Sequence, residues 1–308
     1  MKLSVIVCTR DRAYAIAGCL DSIADAISKA SPIDAEIIVV DNASGDDTSA
    51  VINTWAKSCA FPVRVLFEPQ KGLSNARNCG IQAAQGELLA FTDDDCRMSK
   101  DYVTDLLRHD ASDSSLVLRG GRIDLGDPAD LPLSIKTLPV LTRWSRKSHS
   151  ARHENLADTI YGCNMAMRHE AVEKLGLFDN RFGAGSNIPG GEDTDYIFRA
   201  YLADIAIEYV PDMAVSHYHG RKSVSDGNKL IRNYSIGSGA LFAKYFFKDP
   251  NLCRPFYWDM KSALKDIFSG KNTYMPEMEF SHKDKIIQYF VGIKRYCSAN
   301  LIKASAGA

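Results

Sequence analysis

A chain of 308 residues that is 45% hydrophobic and 24% charged can bury a substantial core, which excludes a disulfide-stapled miniature and a mainly disordered segment. Its 37 basic residues against 38 acidic ones leave a net charge of -1, so nothing draws the whole molecule toward nucleic acid, and no nucleic-acid partner is expected. The length fits about two domains or one enlarged domain.

In chain order, Leu3 to Cys8, Glu36 to Val40, Val63 to Phe67 and Leu88 to Phe91 are short apolar runs that predict strands. Ile16, Leu20, Ile23 and Ile27 recur at helical spacing after the first. Thr48 to Ala60 and Ser74 to Gln85 predict the next two helices, and Ser99 is a candidate cap for another running to about Arg108. This alternation is the pattern of parallel βαβ units. From Gly120 to Asp158, prolines 128, 132 and 139 interrupt each candidate element, so loops and short pieces are expected. Tyr161 to Met167 predicts a strand, and His169 to Leu175 a short helix. A turn-rich loop at 183–191 then delivers Glu192 and Asp193 to a helix over Thr194 to Ala203, and a last strand covers Ile207 to His217.

Beyond Ser223 the chain reads as mainly helical. Lys229 to Lys248 mixes Leu241, Phe242, Tyr245, Phe246 and Phe247 with Lys244 and Lys248, a pattern that suits either peripheral membrane contact or core packing. The N-terminal apolar run is too short for a secretory signal, and no stretch approaches the ~18 uninterrupted apolar residues of a membrane span. The eight cysteines never fall as C-x-x-C. Together these features lead us to expect a cytoplasmic location, with any membrane contact peripheral at the inner face of the cell membrane.

Ligands of parallel sheets sit beyond the carboxyl ends of the strands. Thr9 to Arg12, Asp41 with Asn42, and Asp93 to Asp95 all fall there. There is no G-x-G-x-x-G after the first strand and no P-loop, so a bound diphosphate needs another neutraliser. Three adjacent carboxylates repel each other unless a cation lies among them, and hard oxygen donors favour magnesium or manganese. In extended backbone Asp93 and Asp95 point to one side and Asp94 to the other.

The stretches VIVCTRDR (5–12), IIVVDNASGDDT (37–48), KGLSNARNCG (71–80), LLAFTDDDC (88–96), GCNMAMRHEAVEKLGLFDNRFG (162–183) and GGEDTDYIFRA (190–200) follow one another in an order that resembles family-2 glycosyltransferases of the GT-A fold. The resemblance covers roughly residues 3 to 220. It implies a Rossmann-like mixed, mainly parallel α/β sheet flanked by helices, a catalytic domain over 1–222 with a nucleotide-binding half (1–120) and an acceptor half (121–222), and a helical extension over 223–308. It further implies inverting transfer of a hexose from a nucleoside-diphosphate sugar, a UDP-sugar by default, to a glycan or lipid-linked saccharide, with Mn2+ or Mg2+ as cofactor. By the same resemblance, Asp193 is the catalytic base. Thr9, Arg10, Arg12, Asp41, Arg77, Asn78, Asp93, Asp94 and Glu192 line the nucleotide-sugar pocket. Asp95 and Asp93 ligate the metal, with His217 or His219 as a third ligand.

Plainer roles stand beside these. Asp193 can simply cap a helix, and the histidines can be structural. A nucleotidyltransferase that makes sugar nucleotides would want a glycine-rich loop after the first strand, and VCTRDRAY contains no glycine. A non-catalytic sugar-nucleotide scaffold does not need Asp95 and Asp193, both of which are present.

Overall fold

The computed structural model describes residues 1–147 and 155–306, with side chains described to residue 300. The first four strands are β1 (Leu3–Thr9), β2 (Ala35–Asp41), β3 (Val63–Phe67) and β4 (Leu88–Asp93). They lie parallel in the order β3-β2-β1-β4, with Thr9 beside Asp41 and Cys8 beside Asp93. The polar ends of three strands are thereby brought level.

Successive side chains of a strand face opposite ways, so each strand feeds two apolar layers. Val5, Val7, Ile37 and Val39 meet Ile16, Leu20, Ile23 and Ile27 of α1 (Ile16–Lys29) on one side. Ile6, Ile38 and Val40 meet Ala76 and Ile81 of α3 (Leu73–Ala83) on the other. A Cβ on Gly80 would lie 2.6 Å from Ile6 Cγ2, so only glycine lets α3 settle this close. The helix α2 (Thr48–Ser58) completes this half. Ser99 accepts from the Tyr102 amide through its carbonyl, and α4 (Tyr102–Ala111) begins three residues later than the sequence suggests.

The second half departs further from expectation. The stretch anticipated as loops contains most of β6 (Val117–Leu125), deep in the sheet, and the short edge strand β7 (Thr142–Trp144). With β5 (Cys96–Met98), β8 (Asn164–Arg168) and β9 (Ala206–His217) the sheet continues β4-β8-β6-β9-β5, and β7 pairs with β9. β8 runs antiparallel to both neighbours, while β6 and β9 are parallel. The sheet is thus mixed, with its parallel block in the first half. Residues 148–154 of the anticipated loop region lie outside the described residues.

β6 was hidden by its polar core. Arg119 is buried, with Nε 2.9 Å from Glu208 and further ion pairs to Asp110 and Asp113. At Gly121, beside a register shift, a Cβ would lie 1.8 Å from the Met213 carbonyl oxygen. Asn164 seals the same point by donating through Nδ2 to the carbonyls of Arg122 and Met213.

The helix expected from Thr194 begins earlier, as α6 (Glu192–Leu202), because Gly191 turns the chain at φ +84°. Likewise β8 begins at Asn164, which leaves Tyr161, Gly162 and Cys163 in the preceding turn. α5 (His169–Leu175) forms where the sequence places it.

Three long helices follow, α7 (Val224–Tyr245), α8 (Arg254–Ser269) and α9 (His282–Ala306). Ser223 and Asp226 form a reciprocal cap at the start of α7. α7 and α9 cross through glycines, since a Cβ on Gly239 would lie 2.1 Å from the Tyr289 carbonyl and one on Gly292 2.0 Å from that of Ile236. α7 also reaches α6: Lys244 pairs with Asp195 (2.6 Å) and Asp179 (2.7 Å), and the Tyr245 hydroxyl donates to Asp195 (2.8 Å). Leu241, Phe242 and Tyr245 are core, so within Lys229–Lys248 the exposed large apolar residues are Tyr234, Phe246 and Phe247. No helix among the described residues is long and apolar enough to cross a membrane.

Candidate active site

β4 ends at Asp93, and Asp94 and Asp95 form a turn before β5. The alternation expected of an extended triplet therefore stops at Asp93, and each carboxylate has its own partner. Arg77 Nη2 lies 3.2 Å from Asp93. Thr9 donates to Asp94 at 2.6 Å. His217 Nε2 lies 3.3 Å from Asp95, and Arg12 reaches both Asp94 (3.5 Å) and Asp95 (3.4 Å). The repulsion attributed to the triplet is thus already met by protein cations, and it no longer requires a metal.

These contacts bias protonation. Burial pushes Asp94 up to about 7, against the Thr9 hydrogen bond and with Asp95 adding to the rise. Burial also raises Asp95, but the His217 hydrogen bond and charge prevail and hold it below the usual range. Burial pulls the His217 imidazole down, yet its hydrogen bond to Asp95 and its charged surroundings outweigh this and push it up to about 9.

Asp193 sits in the first turn of α6, where the unpaired amides of a helix start favour an anion. Its Oδ1 accepts from the Thr194 amide (2.7 Å) and its Oδ2 from the Gly162 amide (3.0 Å). The adjacent Glu192 is buried against Arg77 Nη1 (3.1 Å). Burial raises it to about 7, with Asp193 adding and Arg77 opposing. One guanidinium thus joins Asp93, Glu192 and the Gly162 carbonyl.

Asp93, Arg77, Glu192, Asp193 and His217 line a single cavity of about 550 Å³, together with Tyr161, Tyr234, Tyr274 and Lys285 from the second half and the C-terminal helices. Thr9, Arg12, Asp41, Asp94 and Asp95 do not line it and lie at or just beyond the carboxyl ends of β1, β2 and β4. Asp41, the last residue of β2, accepts from the Ser44 amide (2.9 Å).

Other expected site residues are engaged elsewhere. Arg10 faces Asp11 at 3.4 Å. Asn78 clamps the Phe178 backbone through both its amide nitrogen and oxygen. His219 has Nε2 3.0 Å from the Leu131 carbonyl and Nδ1 3.0 Å from the Arg221 amide, so both nitrogens are committed within the fold. His217 differs, because its buried Nδ1 has no hydrogen-bond partner.

In donor type, the expected ligands suit a divalent cation, and His217 and Asp95 are in contact. Asp93 and Asp95 offer hard oxygens and His217 an imidazole, a set suited to manganese or magnesium. Cys96 and Cys163 bring softer sulfur atoms within 4.8 Å of each other and of a His217 nitrogen. Cys163 and the Gly162 amide escaped sequence reasoning, although GCNMAM contains both; the tyrosines lie where no spacing rule marks them.

The mixed sheet, its flanking helices and the carboxylates at its edge define the GT-A class of fold. The sequence profile named Glycosyl transferase family 2 matches residues 4–176, and the chain belongs to that family. Succinoglycan biosynthesis protein ExoM of Rhizobium meliloti is 29% identical over 183 residues, 57% of this chain and 54% of that protein. The match thus spans about half of ExoM. Glycosyltransferase AglE of Haloferax volcanii is 26% identical over 78% of this chain and 73% of its own length. Among solved structures, mannosyltransferase PcManGT from Pyrobaculum calidifontis in complex with GDP-Man and Mn2+ superposes with a TM-score of 0.59 at 16% identity, covering 99% of this chain and 79% of that one. Residues 1–349 of S. aureus TarS in complex with UDP give 0.57 at 16% identity, over 97% and 92%.

Proposed function

We propose that this protein is a metal-dependent inverting glycosyltransferase that moves a hexose from a nucleoside-diphosphate sugar to a glycan or a lipid-linked saccharide. The observation that carries this reading is Asp193, held by two backbone amides in the same cavity as Asp93 and His217. Proteins similar to this chain are described in complex with UDP and with GDP-Man and Mn2+, which supports a nucleotide-sugar donor. A UDP-sugar is the default.

A sugar hydroxyl is a weak nucleophile, and a positioned carboxylate that takes its proton contributes about 10²- to 10⁴-fold. Amide donors at both Asp193 oxygens fix the carboxylate in position, leaving a lone pair to accept that proton. As the hydroxyl oxygen bonds to the anomeric carbon, the bond from that carbon to the diphosphate breaks, and inversion follows from attack on the opposite face. Asp95, Asp93 and His217 would hold a divalent cation, which when bound supplies charge neutralisation for the leaving diphosphate. Arg77 holds Asp93 and Glu192 in place, and Asp41, with Thr9, Arg12 and Asp94, shapes the strand ends where base and ribose would bind. The tyrosines beside Asp193 suit stacking against an acceptor sugar.

The test is a thermal-shift screen of nucleoside diphosphates with and without manganese, followed by transfer from the stabilising donor class. Stabilisation by one nucleotide only with manganese is the expected result. Asp95→Ala should abolish the manganese-dependent part, and an unchanged response would remove Asp95 as a ligand. No shift with any nucleotide would overturn the transferase reading.

A further inference from the structure

We propose that α8 is an interfacial anchor that lies on an anionic lipid bilayer. The proposal gives a purpose to the lipid-linked form of the acceptor reading above and rests on it only for that purpose.

Tyr257, Lys261, Leu264 and Phe268 follow at steps of four, three and four, so they share one face of the helix. Trp258 and Lys265 flank that face. The apolar members are uncovered, with Trp258 51% and Phe268 88% exposed, and Phe247, just beyond the end of α7, is 94% exposed. Exposed apolar side chains are ordinary one at a time, but a contiguous run of aromatics on one helix marks a contact surface.

The charges of α8 sort by face. Asp259 is buried toward α9, where it meets Lys285 (3.0 Å) and His282 (3.3 Å) and accepts from the Tyr289 hydroxyl at 2.5 Å. Asp266 is buried and takes the Thr273 hydroxyl at 2.7 Å. Lys261 and Lys265 are exposed, and Lys261 lies 5.4 Å above the Trp258 ring. Both carboxylates of the helix therefore point inward, and its exposed lysines share the apolar face. Aromatic residues interleaved with lysines match the headgroup zone of an anionic membrane, where rings enter the interface and ammonium groups stay with phosphate.

A second copy of this chain fits less well. A twofold contact through this face would bring Lys261 and Lys265 toward their own copies, and the centres of protein interfaces are depleted in lysine. The position of α8 also suits a lipid-linked substrate, because the cavity that contains Asp193 is lined by Pro255 in the first turn of α8 and by Leu252 and Phe242 next to it.

The test is co-sedimentation of the full chain with phosphatidylcholine vesicles, with and without a phosphatidylglycerol fraction, at low and high salt. Wild type should sediment with the anionic vesicles, less at high salt, and its tryptophan emission should shift to the blue. Lys261→Glu with Lys265→Glu should weaken binding at least about thirtyfold, and Trp258→Ser with Phe268→Ser should abolish it and the blue shift. All four side chains are exposed, so unchanged melting temperatures will verify folding. No sedimentation of wild type, or sedimentation that these variants leave intact, overturns the proposal. A dimer in lipid-free buffer that Trp258→Ser with Phe268→Ser dissolves, without vesicle binding, overturns it in favour of a second copy. Vesicle binding reads no sugar chemistry, whereas the manganese-dependent nucleotide shift reads no lipid, so either idea can fail alone.

Discussion

The two halves of the sheet are built on different principles. From β1 to β4, alternate residues feed apolar layers above and below, and polar groups gather at the strand ends. From β6 to β9 and into α7, buried charges do much of the specifying: Arg119 with Glu208, and Lys244 and Tyr245 with Asp195. Apolar layers tolerate exchange of shape, whereas buried charges fail when one partner leaves. The candidate base belongs to the second kind of structure, so its placement is held by contacts that a single substitution can undo.

That contrast can be broken at graded sites. The largest effect is expected for Asp193→Asn, which should lower transfer by about 10²- to 10⁴-fold while leaving nucleotide affinity intact; single-turnover transfer and titration calorimetry measure the two terms. Next is Lys244→Met, which leaves the fully buried Asp195 with Arg199 and Tyr245 alone. It should cost about 3 kcal/mol in urea unfolding, and a loss near zero would show that the second half does not depend on this pair.

A smaller effect concerns pH. Glu192 has an ordinary value of 4.5 and stands at about 7 when folded. The folded state therefore keeps a proton that the unfolded chain releases, so this contribution to stability is complete below about 4.5 and lost as pH rises through about 7. Glu192→Gln removes the titration, and its melting temperature should gain on wild type across that window. A constant difference would place the shift elsewhere. The smallest effect is expected for Ile38→Val in the apolar layer, about 0.5 to 1.5 kcal/mol with activity unchanged.

How far each half could be read from sequence follows the same division. Apart from β5, whose three residues are too few to show a period, the strands and helices before residue 112 obey periodicity, and their ends lie within a few residues of expectation. β6 was missed because Arg119, Gly120, Gly121 and Arg122 break every apolar pattern, although they occupy the interior of the sheet. At the site, Asp93, Glu192, Asp193, Arg77 and His217, each named from its motif position, line one cavity. Asn78 and His219 shared motifs or strand ends with those residues but are spent on Phe178 and Leu131, because spacing does not say which way a side chain turns.

Arg77 has a consequence for recombination. Its single guanidinium reads a carboxylate from β4, another from α6 and a carbonyl from the turn before β8. A chimera that joined the first half of this chain to the second half of another family member would keep its two halves in register only if residues 77, 93, 162 and 192 travelled as a matched set. The exchangeable unit is therefore not a contiguous segment but a four-point lock spread across the crossover.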